Sequence, residues 1–143
     1  MATTVQVAID CADPAALSRF WAEALGCVLQ PPPEGHDSWE SWLAAMGVPE
    51  SEWNAASAVV DPEGAGPRIY FQRVPEEKAG KNRLHLDLRV SDGKSPIEAR
   101  QRAIRPEADR LVALGASVVG PVEERGEYWI VLQDPEGNEF CLT

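Results

Sequence analysis

The chain writes one β-hairpin twice, and that repetition constrains its fold more than any other feature. Near the end, Trp129-Ile130-Val131-Leu132-Gln133 runs through Asp134-Pro135-Glu136-Gly137 into Asn138-Glu139-Phe140-Cys141-Leu142-Thr143. Upstream, Ala58-Val59-Val60 runs through Asp61-Pro62-Glu63-Gly64 towards Arg68-Ile69-Tyr70-Phe71-Gln72-Arg73. Pro after Asp presets φ for a turn and Gly supplies the freedom to finish it, so each copy predicts two strands joined at a corner. Other anchors recur in the same order. Gln6 stands seven residues before Asp13 and His85 seven before Asp92, while Ala24-Leu25-Gly26 returns as Ala113-Leu114-Gly115. Two copies at so long a period predict a duplicated module, not a solenoid array.

Each copy reads as strand, helix and three strands. Val5-Gln6-Val7-Ala8-Ile9-Asp10 alternates with the period of a strand buried on one face. Asp13 then offers an N-cap and Pro14 suits the first helical position. Leu17, Phe20, Trp21, Ala24 and Leu25 form an apolar stripe that Gly26 ends. A short strand from Cys27 to Gln30 stops at Pro31-Pro32-Pro33. In the second copy, Leu84 to Val90 is the clearest alternating strand, with its leucine and valine side predicted to be core. Ser95-Pro96 opens a first helical segment. Pro106 is expected to start the main helix afresh, because an interior proline costs about 3 kcal/mol. Leu111, Val112 and Leu114 are the expected core face, and Gly115 the stop. Ser117 to Val119 reads as a strand and Glu123 to Gly126 as a polar turn before the closing hairpin.

The predicted fold class is α+β: tandem βαβββ modules forming a curved mixed sheet around a shared cleft. At 143 residues the chain makes a single domain, with modules over about 3–75 and 82–143 joined by the polar connector Pro75 to Lys81. Residues 34–54 stand outside this plan. A helix over 37–46, started by Asp37 or Ser38, carries Trp39, Trp42 and Met46, and Trp53 follows. Three of the five tryptophans fall in this insert, more aromatic surface than a solvated loop needs. It is either a lid over a ligand pocket, or a helix packed on the outside of the sheet or on a partner subunit.

These residues together resemble the vicinal oxygen chelate superfamily, which includes glyoxalase I, bleomycin-resistance proteins and extradiol dioxygenases. The strand openings Val5-Gln6-Val7 and Leu84-His85-Leu86 and the two Asp-Pro-Glu-Gly hairpins carry the likeness. Lys81-Asn82-Arg83-Leu84-His85-Leu86-Asp87-Leu88 and Phe71-Gln72-Arg73-Val74-Pro75-Glu76 are most similar to its small bacterial glyoxalase-like branch. The resemblance implies four cleft-facing positions where metal-dependent relatives ligate a divalent ion. They fall on Gln6, on His85, on or near Gln72 (a one-residue slip gives Phe71), and on Cys141, where such relatives carry Glu.

Alternation places Gln6 and Asp10, Tyr70 and Gln72, His85 and Asp87, and Glu139 and Cys141 on the polar strand faces, with Trp129 on a neighbouring strand. Together with Trp39 and Trp42 these are the candidate ligand-binding residues. Two amides, one imidazole and one thiol make a poor set for nickel, magnesium or iron, and amide oxygens bind zinc weakly, so no tightly held metal cofactor is expected. His85 with Asp87 or Glu139 is the candidate acid/base pair, since histidine can change charge near neutral pH.

Charge and motifs exclude other classes. A net charge of -10 argues against a nucleic-acid partner. No GxSxG, P-loop or GxGxxG occurs. Met1-Ala2-Thr3-Thr4 lacks the features of a secretory signal, and no apolar run reaches membrane-spanning length. Cys11, Cys27 and Cys141 lack CxxC spacing and read as reduced cytoplasmic thiols, the first two as small core residues. The expectation is a cytoplasmic, homodimeric protein that holds a small, planar or cationic organic molecule in the cleft between its two modules. The alternative is a glyoxalase-type lyase or isomerase acting on a small carbonyl compound through His85 or a metal.

Overall fold

A computed structural model describes all of residues 1–143, in two compact units, Met1–Glu77 and Lys78–Thr143. The first unit runs β1 (Val7–Cys11), α1 (Pro14–Leu25), β2 (Val28–Leu29), α2 (Trp39–Ala45), a 3-10 turn (Glu50–Glu52), β3 (Ala56–Val60) and β4 (Ile69–Arg73). The second runs β5 (Asp87–Leu88), α3 (Ile97–Leu114), β6 (Ser117–Glu124), β7 (Glu127–Gln133) and β8 (Glu139–Leu142). Their sheets have the same topology, β1-β4-β3-β2 and β5-β8-β7-β6. In each, the first strand lies parallel to the last and the other pairs are antiparallel. The chain is thus an α+β protein built of tandem βαβββ modules.

Local chemistry explains the first unit's elements. The Asp13 carboxylate accepts from the backbone N–H of Ala16 at 3.1 Å, and Pro14 occupies the first turn of α1. Gly26 ends the helix at φ 68°, a left-handed conformation that glycine adopts without steric cost. The stripe Leu17, Phe20, Trp21 and Ala24 is buried, with Phe20 and Trp21 packed edge to face at 5.4 Å. Opposite it, Val59, Ile69 and Phe71 are buried on the inner sheet face. Burying each of these large side chains contributes about 1.5–3 kcal/mol.

The two Asp-Pro-Glu-Gly corners use their aspartates alike. Asp61 accepts from the backbone N–H groups of Glu63, Ala65 and Gly66 at 2.8–3.0 Å. Asp134 accepts from those of Glu136 and Asn138 at 2.9 and 3.0 Å. The carboxylate turns the chain by gathering donors that the loop would otherwise leave unpaired.

Several expectations are corrected. The helix of the second unit does not restart at Pro106; α3 is continuous with Pro106 inside it. Its buried face is Arg100, Ile104, Ala108 and Leu111, so Val112 and Leu114 lie exposed. That face spans the proline, and Pro106 points to solvent, where water can satisfy the freed carbonyl. The strand expected over Leu84 to Val90 contracts to β5, and Leu84 is 70% exposed. Asn82 is the reason. Its side chain accepts from Glu139 N at 2.9 Å and donates to Glu139 O at 3.2 Å, taking the groups a longer β5 would pair with. Val5 precedes β1 and is exposed, so it packs on no helix. Finally, β6 extends to Glu124 and the turn shrinks to Arg125-Gly126, both at positive φ, as a two-residue hairpin turn matching the strand twist requires.

Candidate functional site

In the first unit the parallel register of β1 and β4 sets Ala8 beside Tyr70 and Asp10 beside Gln72. The same alternation carries Gln6 and Arg68, one step before those strands, onto this polar face. Gln72 Nε2 donates to Asp10 Oδ1 at 2.6 Å. Arg68 Nη1 donates to Gln6 Oε1 at 2.9 Å, and its Nε donates to Gln30 Oε1 at 2.6 Å. The guanidinium lies 5.3 Å from the centre of the Tyr70 ring, a cation–π arrangement.

Beside this cluster is a cavity of about 500 Å³, lined by Trp39, Trp42 and Trp53, by Ser57 of β3, and by Arg68 and Tyr70. It exists because β2 covers only Val59 and Val60 of β3. On that edge Ala56 and Ser57 have no strand partner, and they line the cavity together with the insert. Ser38 caps α2 by accepting from Ser41 N at 3.1 Å. Trp39 Nε1 donates to Gln30 O at 2.7 Å and Trp53 Nε1 to Val48 O at 2.9 Å, so both indole N–H groups are satisfied within the wall. Trp39 and Trp42 meet edge to face at 5.6 Å. Asn54 ties the insert's far end to α1. Its Oδ1 accepts from Ala15 N and its Nδ2 donates to Asp13 Oδ1, both at 2.8 Å. That Asn54 bond, with the Ala16 N–H, holds the Asp13 carboxyl below the usual aspartate range.

The second unit gathers a different set. Register places Asp87 beside Cys141, and His85 Nε2 lies 3.3 Å from Asp87 Oδ1. One ligand-type atom from each of His85, Asp87 and Cys141 falls within 4.8 Å of the others. Cys141 is 8% exposed, and burial first, then the Asp87 and Glu139 carboxylates, push its thiol pKa up. Glu139 is ion-paired with Lys81. Val131 pairs with Cys141, so Trp129, two residues back along β7, lies half-buried on the same face.

The positions implied for metal ligands do not fit a firmly held ion. The Gln6 carbonyl oxygen already accepts from a guanidinium, which would repel a cation placed there. The Gln72 amide is tied to Asp10. Zinc takes N, O and S donors, so His85, Asp87 and Cys141 are the best-suited trio, yet binding would have to strip a proton from a buried thiol that holds it tightly.

Sequence reading passed over Arg68, Gln30 and Asn54. Arg68 carried a usable signal: stepping back two from Tyr70 along the alternation lands on it. Gln30 and Asn54 carried none, since their partners come from other elements.

Residues 6–143 match a family model described as a glyoxalase-like domain. A glyoxalase/bleomycin resistance protein/dioxygenase family enzyme from Burkholderia phytofirmans PsJN is similar in structure at TM-score 0.63 and 19% identity, over 96% of this chain and 94% of that one. A possible glyoxalase from Bacillus cereus aligns at TM-score 0.61 and 15% identity, over 100% and 99%. A mutant of the fosfomycin resistance protein FosX from Listeria monocytogenes, complexed with Mn(II) and 1S,2S-dihydroxypropylphosphonic acid, aligns at 0.63 and 12%, over 99% and 90%. These identities speak to fold alone. No curated protein matches the sequence. No helix is long and apolar enough to cross a membrane.

Proposed function

Because the chain belongs to the family of glyoxalase-like domains, we propose that it binds a small planar organic molecule in the tryptophan-walled cavity of its first unit. The carrying observation is that cavity. About 500 Å³ lies within the range of organic-ligand pockets, with indole walls and a few convergent polar groups. Aromatic walls whose N–H groups are mostly satisfied within the protein present their faces to a flat ligand.

The reading needs no tightly bound metal. Mn(II) in the Listeria structure belongs to that protein, and the donors at the corresponding sequence positions here are engaged or protonated. The working assembly in this reading is a cytoplasmic homodimer, to which exposed Val118 and Val119 of β6 offer apolar surface.

Calorimetric titration with 2-naphthamide, a neutral planar probe, tests the cavity. Saturable binding is expected, and Trp39→Ala with Trp42→Ala should weaken it about tenfold, since aromatic contacts are worth roughly 0.5–1.5 kcal/mol each beyond area. Unchanged affinity in a folded double variant would sink the proposal. A second reading rests on the 3.3 Å contact of His85 and Asp87: a carboxylate orienting an imidazole as acid/base for a carbonyl isomerisation. Turnover of a methylglyoxal–thiol adduct, lost in His85→Ala, would favour it.

A further inference from the structure

Resting on the cavity reading above, we infer that the ligand carries a negatively charged planar group, a carboxylate in the simplest case, that docks on Arg68. The ligand class is then an aromatic or conjugated acid, not the cationic molecule that overall acidity suggests.

Arg73 pairs with Glu52, Lys81 with Glu139, Arg100 with Glu127 and Arg110 with Glu107. Arg68, like seven other Lys and Arg residues, among them Arg19 on the same cavity, takes part in none of the protein's ion pairs. Carboxylates are not scarce, since Asp and Glu number 23 against 13 Lys and Arg. The partners Arg68 does have are neutral amide oxygens, Gln6 Oε1 and Gln30 Oε1, backed by the Tyr70 ring. Such partners fix the guanidinium plane without cancelling its charge. They also leave Nη2 with no acceptor in the protein. A half-buried cation without a counter-ion is costly, and an arriving anion removes that cost while forming charge-assisted hydrogen bonds.

The cavity's acids do not reverse this. Glu52 is committed to Arg73, and Glu40 sits exposed on α2, where water screens it. Arg19 and Trp42, whose side chains are hydrogen-bond donors, also line this cavity.

Calorimetric titration at pH 7 with 2-naphthoate, 2-naphthamide and 2-naphthylmethylammonium separates charge from shape. Wild-type protein is expected to bind the carboxylate about tenfold or more tightly than the amide, and the ammonium most weakly, because hydrogen bonds to charged groups are the stronger ones. In Arg68→Gln the carboxylate-to-amide ratio should fall to near one, and in Arg68→Lys it should lie between. The ratio is read within each variant, so a general loss of stability does not mimic the result. Amide and ammonium binding as tightly as the carboxylate overturns this inference and leaves the cavity reading standing. A ratio unchanged in Arg68→Gln does the same. Failure of all three probes to bind overturns both.

Discussion

Asp13 shows how much a single carboxylate holds together. It caps α1 through Ala16 and, through Asn54, anchors the far end of the insert that walls the cavity. Replacing it with Ala removes an N-cap, for which about 1 kcal/mol is typical, and frees the Asn54 amide. Because its folded pKa is depressed, its electrostatic contribution is complete above the ordinary aspartate value and fades as pH falls through the lower, folded value. Urea unfolding of wild type and Asp13→Ala should therefore differ by about 1 kcal/mol at pH 7 and by less at about pH 3. A gap of the same size at both would show that the charge plays no part. At this scale, residues whose roles are local were legible. The Asp13-Pro14 cap, the Gly26 stop and the start of α2 at Asp37 or Ser38 all follow from short-range chemistry. Gln30 and Asn54 were not, because nothing nearby in the chain explains a side chain whose partners lie elsewhere.

Among the elements, α3 is the informative case. Proline rules predict a break at Pro106, yet the helix runs through it. The buried positions Arg100, Ile104, Ala108 and Leu111 need one uninterrupted face. Arg100, 9% exposed, donates to Ser95 O and Gly126 O and pairs with Glu127, locking the helix start to the β6–β7 turn. Separate helices would give up that continuous packing, and its loss outweighs one hydrogen bond. The proline's cost is still being borne. Pro106→Ala should stabilise the protein by about 2 kcal/mol, the helix penalty less the chain entropy that proline removes from the unfolded state. Thermal and urea unfolding measure it, and no gain would mean that the helix bends to accommodate the ring. Strand β5 errs the other way. Its alternation predicts a long strand, but the Asn82 amide occupies the Glu139 backbone and leaves a two-residue pairing. Hydrophobic period identifies a strand's faces better than its length.

For the molecule as a whole, duplication is the governing fact, and the two modules share a topology while their polar faces differ. The first presents a guanidinium held by amides beside an aromatic cavity; the second presents a His85, Asp87 and Cys141 group. A structural neighbour at 12% identity holds Mn(II), so the donors decide what this chain does with the shared fold. Stripping the protein with chelator and adding back Mn(II), Ni(II) or Zn(II) should leave its melting temperature unchanged. Light scattering on the same samples should give twice the 15.6 kDa chain mass. A rise of several degrees with one metal, abolished by His85→Ala, would overturn the metal-free reading.

Sequence by itself determined the repeated strand–helix–three-strand order, the turns, the caps and the faces of most strands. These rest on interactions a few residues long, which periodicity and turn chemistry encode directly. Only tertiary structure decided that α3 survives its proline, that β5 is short, and that Arg68, Gln30 and the insert tryptophans meet around one cavity. Those outcomes depend on groups as far apart in sequence as Gln6 and Arg68 being brought within a hydrogen bond of each other, and no local pattern records that distance.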